Sequence, residues 1–415
     1  MPPAATTRRE TSHPLEYNIL MTATLCLLAA GAVMVYSASS ARTILQNQGD
    51  GSALLIRYVG YGLVGFVLLQ LMSRRGLALA LRWSGPLLMV SFGLLVAVKI
   101  PHVGVRINGA QRWLGAGPLQ FQPSEVMKLA LVLHSVKMLT ERPKIALVPR
   151  LLAPLGMTIA MACVLIASQP DLGTALVIVF TFASLLIAAG IPLRHLLIAG
   201  GVLAVLIGLF ALVEPYRRAR LTSFLNPWAD AGGSGFQSVQ GQIALGSGGV
   251  LGRGLGGGTA KAFFLPEAHT DFILAIIGEE LGVIGVTAVL FLYGLIAYAG
   301  LRVARVARGT YAKLMATGVV AMILCQGLLN VFTVLGLAPL TGVPLPFISY
   351  GSTNLVILLA AMGLLLNVAN GGVAHVKAVD GPVRSRRDEG QRADRGGRDG
   401  GARGARAGGR RRAAS

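Results

Sequence analysis

The chain predicts an all-α polytopic membrane protein of about ten transmembrane helices, on three observations. Hydrophobic residues make up 54% of its 415 residues and charged ones only 13%. Apolar runs of roughly twenty residues recur from end to end, the length a helix needs to cross a bilayer. Connections rich in Lys and Arg alternate with poorer ones, as in chains threaded through a membrane. An ordinary soluble domain is excluded.

The first run, roughly 17–38, is too long for a signal core and lacks a small-residue cleavage site, so it is read as a retained span. Runs at roughly 52–72 and 77–98 follow, separated by Arg74 and Arg75. The next four fall at about 124–140, 147–168, 172–190 and 193–213, and the last three at about 271–300, 312–336 and 350–369. Between spans seven and eight lies the 214–270 connection, far longer than ordinary loops and therefore expected to be functional.

With both termini cytoplasmic, the inner set gathers Arg8, Arg9, Arg74, Arg75, Arg142, Lys144, Arg150, Arg194, Arg302, Arg305, Arg308 and Lys313. Residues 1–15 form a cytoplasmic N-terminal tail, 16–370 the membrane domain and 371–415 a basic cytoplasmic tail. From Lys377 onward, twelve Lys or Arg stand against five Asp or Glu, a net of +7, with few large apolar residues. Such a segment cannot bury a core and is expected to be disordered. Attraction to anionic headgroups accounts for its charge better than nucleic acid does. Cys26, Cys163 and Cys325 lie far apart in apolar runs and read as small hydrophobes, not as disulfides or metal ligands.

Cations on the outer side break the usual bias: Arg42, Arg106, Arg112, Arg217, Arg218, Arg220, Arg253 and Lys261, with Lys128 one turn into the fourth span. Most share loops with distinctive motifs, so an anionic ligand explains them better than lipid phosphates alone. Asn108-Gly109-Ala110-Gln111-Arg112-Trp113 precedes Phe121-Gln122-Pro123-Ser124-Glu125. Pro123 suits a first helical turn and Glu125 the positive end of the dipole. Ser124, Glu125 and Lys128 project from one helical face, where an ammonium beside a carboxylate can bind a phosphate.

In Gln169-Pro170-Asp171-Leu172-Gly173-Thr174, Asp171 either caps the sixth span or orients a basic partner. The glycine-rich 246–258 segment lacks the context of a nucleotide loop and reads as a pliable segment beside a phosphate, with Arg253 and Lys261 nearby. Pro266-Glu267-Ala268-His269-Thr270-Asp271-Phe272 sets ionisable groups at the mouth of an apolar helix, where they are costly and mark function. Asp271 and His269 are both candidate general bases. Glu279 and Glu280 are expected to pair structurally, with Arg57 or Arg82 as partners. Three prolines in 339–346 stiffen the last loop, and Ser349 and its neighbouring hydroxyls either cap a helix or line the site.

These blocks, in this order, resemble the SEDS family of bacterial cell-wall polymerases, with FtsW, RodA and SpoVE as its branches. The matching pieces are Val35-Tyr36-Ser37-Ala38-Ser39-Ser40, Arg112-Trp113, Gln122 to Glu125, Gln169 to Thr174, Pro266 to Phe272, Glu279-Glu280 with Gly282, and Pro344 to Gly351. The likeness covers about 15–370 and leans to FtsW through Pro266 to Asp271 and Asn226-Pro227-Trp228-Ala229-Asp230. Gln111, Phe121 and Gly342 to Pro346 are more RodA-like, and Gly351-Ser352-Thr353-Asn354 departs from the family's Gly-Gly-Ser-Ser.

The resemblance implies a peptidoglycan glycosyltransferase that polymerises lipid II on the outer face of the cytoplasmic membrane. A class B penicillin-binding protein and other divisome or elongation-complex proteins are the implied partners. Asp271 matches the family's essential aspartate and is the first choice of base. Arg112 and Lys128 lead the candidates for the departing diphosphate, followed by Arg253 and Lys261, with Ser124, Glu125, His269 and Ser349 also at the site. A divalent cation, Mg or Mn, is a possible helper, although no ligand cluster defines one. The rivals are a lipid II flippase, a RodA-like polymerase for elongation, and a division scaffold. No internal repeat favours transport.

Overall fold

The computed structural model describes residues 13–45, 51–107, 110–116, 119–141, 149–194, 196–197, 200–201, 224–233, 235–263, 265 and 268–374. Both tails, most of the expected 193–213 span, the Arg217–Arg220 cations and Pro266-Glu267 lie outside the described residues. Five helices are long and apolar enough to cross a membrane. They are α1 (Leu15–Leu45), α2 (Ala53–Ala97), α8 (Ile273–Val306), α9 (Thr310–Val334) and α10 (Ser352–Ala369). Shorter α3 (Pro123–Glu141), α4 (Pro149–Ala167) and α5 (Leu172–Ala188) complete the bundle among the described residues. Its core centres on α9 and α10, where Met315, Val319, Ile323, Leu358, Leu359, Met362 and Leu365 are buried against α1, α2 and α3.

The spans expected at 52–72 and 77–98 form one helical stretch that folds back on itself. Tyr58 donates to the Phe347 carbonyl just before α10, whereas the Leu95 carbonyl accepts from Gln169 beside the start of α5. A straight helix would separate those two positions by about 55 Å. Yet the starts of α3, α5 and α10 are tied together: Gln122 N–H donates to Thr353 Oγ1, and Ser124 to Asp171. The turn is at 73–77, where Asn367 takes over the interrupted ladder: its Nδ2 donates to the Ser73 carbonyl at 2.7 Å and its Oδ1 accepts from Leu77 N–H at 3.4 Å. Two antiparallel limbs result.

The all-α expectation is corrected at 99–123. Strands β1 (Gly104–Ile107), β2 (Ala110–Ala116) and β3 (Leu119–Phe121) form an antiparallel meander, with Ile107 paired to Ala110 and Ala116 to Leu119. In sequence Asn108-Gly109 stands between Ile107 and Ala110, and it is the dipeptide most favoured in tight hairpins. Ser352 Oγ donates to the Gln120 carbonyl, fastening the sheet to α10.

The described part of the long connection packs against α8. It contains a 3-10 turn (Pro227–Asp230), α6 (Phe236–Ser247) and a short α7 (Ala260–Phe263). Helix α8 kinks at Gly282, whose φ of 66° an L side chain rarely adopts. The kink frees backbone groups, and the glycine-rich segment satisfies them. Arg253 N–H and Gly254 N–H donate to the Glu279 and Glu280 carbonyls, and Val283 N–H donates to Gly249, each at 3.0 Å. A Cβ on Gly248 or Gly252 would collide with the Gly278 or Glu280 carbonyl, so these glycines serve close backbone approach.

Candidate active site

Asp271 sits in the turn that opens α8 and is half-buried. Thr270 Oγ1 donates to its Oδ1 at 3.1 Å, and Asn330 Nδ2 donates to its backbone carbonyl at 2.7 Å. Phe272 is fully buried beneath it, against α6 at Gly241, which anchors the turn from below. The His269 carbonyl accepts from Tyr350 N–H at 3.0 Å, and the two rings lie 5.8 Å apart. These contacts draw the turn to the mouth of α10.

A second acid lies at the start of α5. Asp171 caps that helix, its Oδ1 accepting from Thr174 N–H at 3.2 Å. Its Oδ2 accepts from Ser124 Oγ and Gln122 Nε2, each at 3.2 Å. The capping alternative is therefore the observed one, and no cation is among these partners. Arg112, from β2, donates through Nε to the Gln169 carbonyl at 2.9 Å and through Nη2 to the Pro170 carbonyl. It clamps the turn that carries Asp171.

Below this turn, Lys128 Nζ lies 2.9 Å from Glu125 and donates to Gln326 Oε1 at 2.7 Å. Both members of the ion pair are at most 3% exposed. Gln326 Nε2 then donates to the Pro344 carbonyl and to Asn354 Oδ1. One turn farther along α9, Asn330 donates to the Val343 carbonyl as well as to Asp271. The proline-rich loop so held approaches both acids: Thr341 packs on Gly173, and Gly342 lies beside Asp271 Oδ2. Gln326 and Asn330 thus join what sequence separates by two hundred residues. Their signal was available, as two amides at i and i+4 in an apolar span, a placement that marks function or packing.

Several expected ligands are committed elsewhere. Lys128 is enclosed, with Glu125 and Gln326 as its partners. Lys261 is 5% exposed and bonds Glu280 at 2.5 Å and Ser37 Oγ at 2.9 Å. Glu279 faces Arg253 at 3.4 Å and accepts from Thr259 N–H at 2.8 Å. The glutamates pair structurally, but with Arg253 and Lys261, not Arg57 or Arg82, because the glycine-rich segment packs directly over the kink. Ser349 is 1% exposed and accepts from Leu345 N–H at 2.8 Å, closing a loop and lining nothing. Arg253 keeps an exposed side chain, and Arg112 is half-buried at the sheet.

The cell cycle protein family model covering FtsW, RodA and SpoVE matches residues 18–372. The chain belongs to this family. Stage V sporulation protein E of Bacillus subtilis is 40% identical over 365 residues, spanning 88% of this chain and 98% of that protein. A probable peptidoglycan glycosyltransferase FtsW of Trichlorobacter lovleyi is 38% identical, across 86% of this chain and 94% of its own length. Among solved structures, a chain of a peptidoglycan synthase complex that coordinates polymerization and crosslinking superposes with a TM-score of 0.70 at 34% identity, covering 86% of this chain and 98% of that one. The rod shape determining protein RodA of Thermus thermophilus gives 0.62 at 30%, covering 88% and 99%. The FtsW/RodA/SpoVE match leaves out both tails, and every site residue placed above lies within it.

Proposed function

We propose that the chain is a peptidoglycan glycosyltransferase that polymerises lipid II at the outer face of the bacterial cytoplasmic membrane, in cell division. The observation that carries this reading is Asp271, presented half-buried at the mouth of the bundle by a turn fixed from α6, α9 and the α10 entrance. Family membership supplies the reaction class, and relatives named FtsW support the division role.

A sugar hydroxyl of one lipid II attacks the anomeric carbon of another chain, and the bond to the lipid diphosphate breaks. Asp271 takes the hydroxyl proton, with Thr270 orienting its carboxylate and His269 beside it. Negative charge grows on the departing diphosphate, and of the four cations proposed to meet it Arg112 and Arg253 are the two that are not enclosed. Ser124 braces the Asp171 turn, and the Glu125–Lys128 pair, through Gln326, braces the proline-rich loop. Among the described residues no group of three His, Cys, Asp or Glu could hold a metal ion. An Mg or Mn ion would arrive on the substrate's phosphates.

Ten spans, an outer 214–270 connection and cytoplasmic termini complete the proposal, with a class B penicillin-binding protein as partner at the septum. Purified protein, with and without that transpeptidase, is given labelled lipid II and the products are sized on a gel. Glycan chains that vanish in Asp271→Ala support the assignment. Polymer made undiminished by that variant overturns Asp271 as base, and lipid translocation without any polymer overturns the reaction class.

A further inference from the structure

At the opposite end of the bundle from Asp271, a cavity of about 500 Å³ opens between the start of α1, the fold-back of α2 and the end of α10. Its lining includes His13, Gln70, Ser73, Arg74, Asn367 and Asn370. None of the described lining residues is acidic. The nearest acid in sequence, Glu16, is already paired with Arg302 at 2.9 Å.

The walls are firm. Asn367 is locked across the α2 turn, and Gly372 N–H returns to the Asn367 carbonyl at 2.9 Å, closing α10. His13 stacks on Tyr17 and donates Nδ1–H to Asn370 Oδ1 at 3.0 Å, which leaves Nε2 and the Asn370 amide nitrogen for a ligand. The side chains of Arg74 and Gln70 have no hydrogen-bond or ion-pair partner among the described residues, the Gln70 carbonyl accepting from Ser73 Oγ. A guanidinium and two amides therefore converge on a roomy cavity with no acid among its described lining residues. Leu15, Val67 and Leu71 are exposed on the adjoining helix faces, an apolar surface beside the polar opening.

We infer that this cavity binds a phosphate-bearing headgroup, that of an anionic phospholipid whose acyl chains lie along α1 and the first limb of α2. A fork of N–H donors matches phosphate geometry, and basic pockets between membrane helices are suited to anionic headgroups. The absence of a carboxylate in the lining disfavours zwitterionic lipids, whose ammonium would have no counterpart.

The test uses the full chain in detergent, with native mass spectrometry counting bound lipid. Wild type is expected to retain phosphatidylglycerol over phosphatidylcholine, and Arg74→Gln to lose about fivefold of that preference. Asn370→Ala should weaken retention in the same sense, and Arg308→Gln, a cation outside the cavity, should leave it intact. Thermal melts confirm that each variant is folded. Equal losses from Arg74→Gln and Arg308→Gln would show bulk attraction and overturn the site. Glycerol 3-phosphate retained in an Arg74-dependent way, with no lipid preference, would overturn the lipid and leave a soluble phosphate ligand. Retention of neither probe overturns both.

Discussion

Asn330 holds Asp271 by its backbone, not by its carboxylate: Nδ2 donates to the Asp271 carbonyl at 2.7 Å and to Val343 at 2.8 Å. The acid's position is therefore set by a residue that never touches its oxygens Oδ1 or Oδ2 through this bond. The Oδ1 of Asn330 is buried without a hydrogen-bond partner among the described residues.

Asn330→Ala should release both carbonyls at once. Two buried hydrogen bonds are worth about 2–3 kcal/mol together, and a displacement of an ångström in a catalytic group costs on the order of a hundredfold in rate. Lipid II polymerisation is expected to fall by roughly 10–100-fold, with the melting temperature lowered. Unchanged turnover in a folded variant would show that the turn is held well enough by His269, Tyr350 and Phe272.

The Glu125–Lys128 pair gives an asymmetric prediction. Removing one partner strands a buried charge, at about 3–5 kcal/mol, whereas replacing both with apolar residues is close to neutral. Lys128→Met alone should unfold far more readily than the double variant Glu125→Leu/Lys128→Met, by thermal melting in detergent. Gln326, tied to both Lys128 and Asn354, should then limit the recovery of activity even where stability returns.

The chain's sequence made most of this architecture legible because apolar length and charge segregation are local signals. The positions of α1, α3, α5, α8, α9 and α10 lie within a few residues of the expected spans, apart from extensions of α1 and α8. The β meander was missed although Asn108-Gly109 suits a hairpin, since its strands are too short to show a clear alternation and the stretch reads as an outer loop. Site partners were harder. Nothing in the spacing of Glu279-Glu280 says that Arg253 and Lys261 will fold back over them; that depends on the α8 kink, where only glycines permit the approach. A long-range contact of this kind leaves a trace in glycine content, not in charge pattern.

That trace is testable. Gly282→Ala places a side chain at a positive φ and against the Val250 carbonyl, and Gly252→Ala drives one into the Glu280 carbonyl. Backbone strain of this sort costs about 1–3 kcal/mol. Both variants should loosen the 246–261 segment, read as faster limited proteolysis there. Lys261→Met should do the same by stranding Glu280, whereas Ser37→Ala, which removes one of several bonds to that carboxylate, should have a smaller effect.

The proposed side of the membrane for the long connection follows from Asp271 needing lipid II sugars, which face outward in the proposed reaction. Leu251 is 78% exposed on the glycine-rich segment, so Leu251→Cys adds a reactive thiol without disturbing the packed glycines. Cys26, Cys163 and Cys325 are replaced first to silence the background. A membrane-impermeant maleimide added to intact spheroplasts should label Leu251→Cys fully, and a cysteine at Arg308 only after lysis. Labelling in the reverse order would place the Asp271 turn away from the sugars. The carboxylate could then not serve as the base, however well its geometry suits the role.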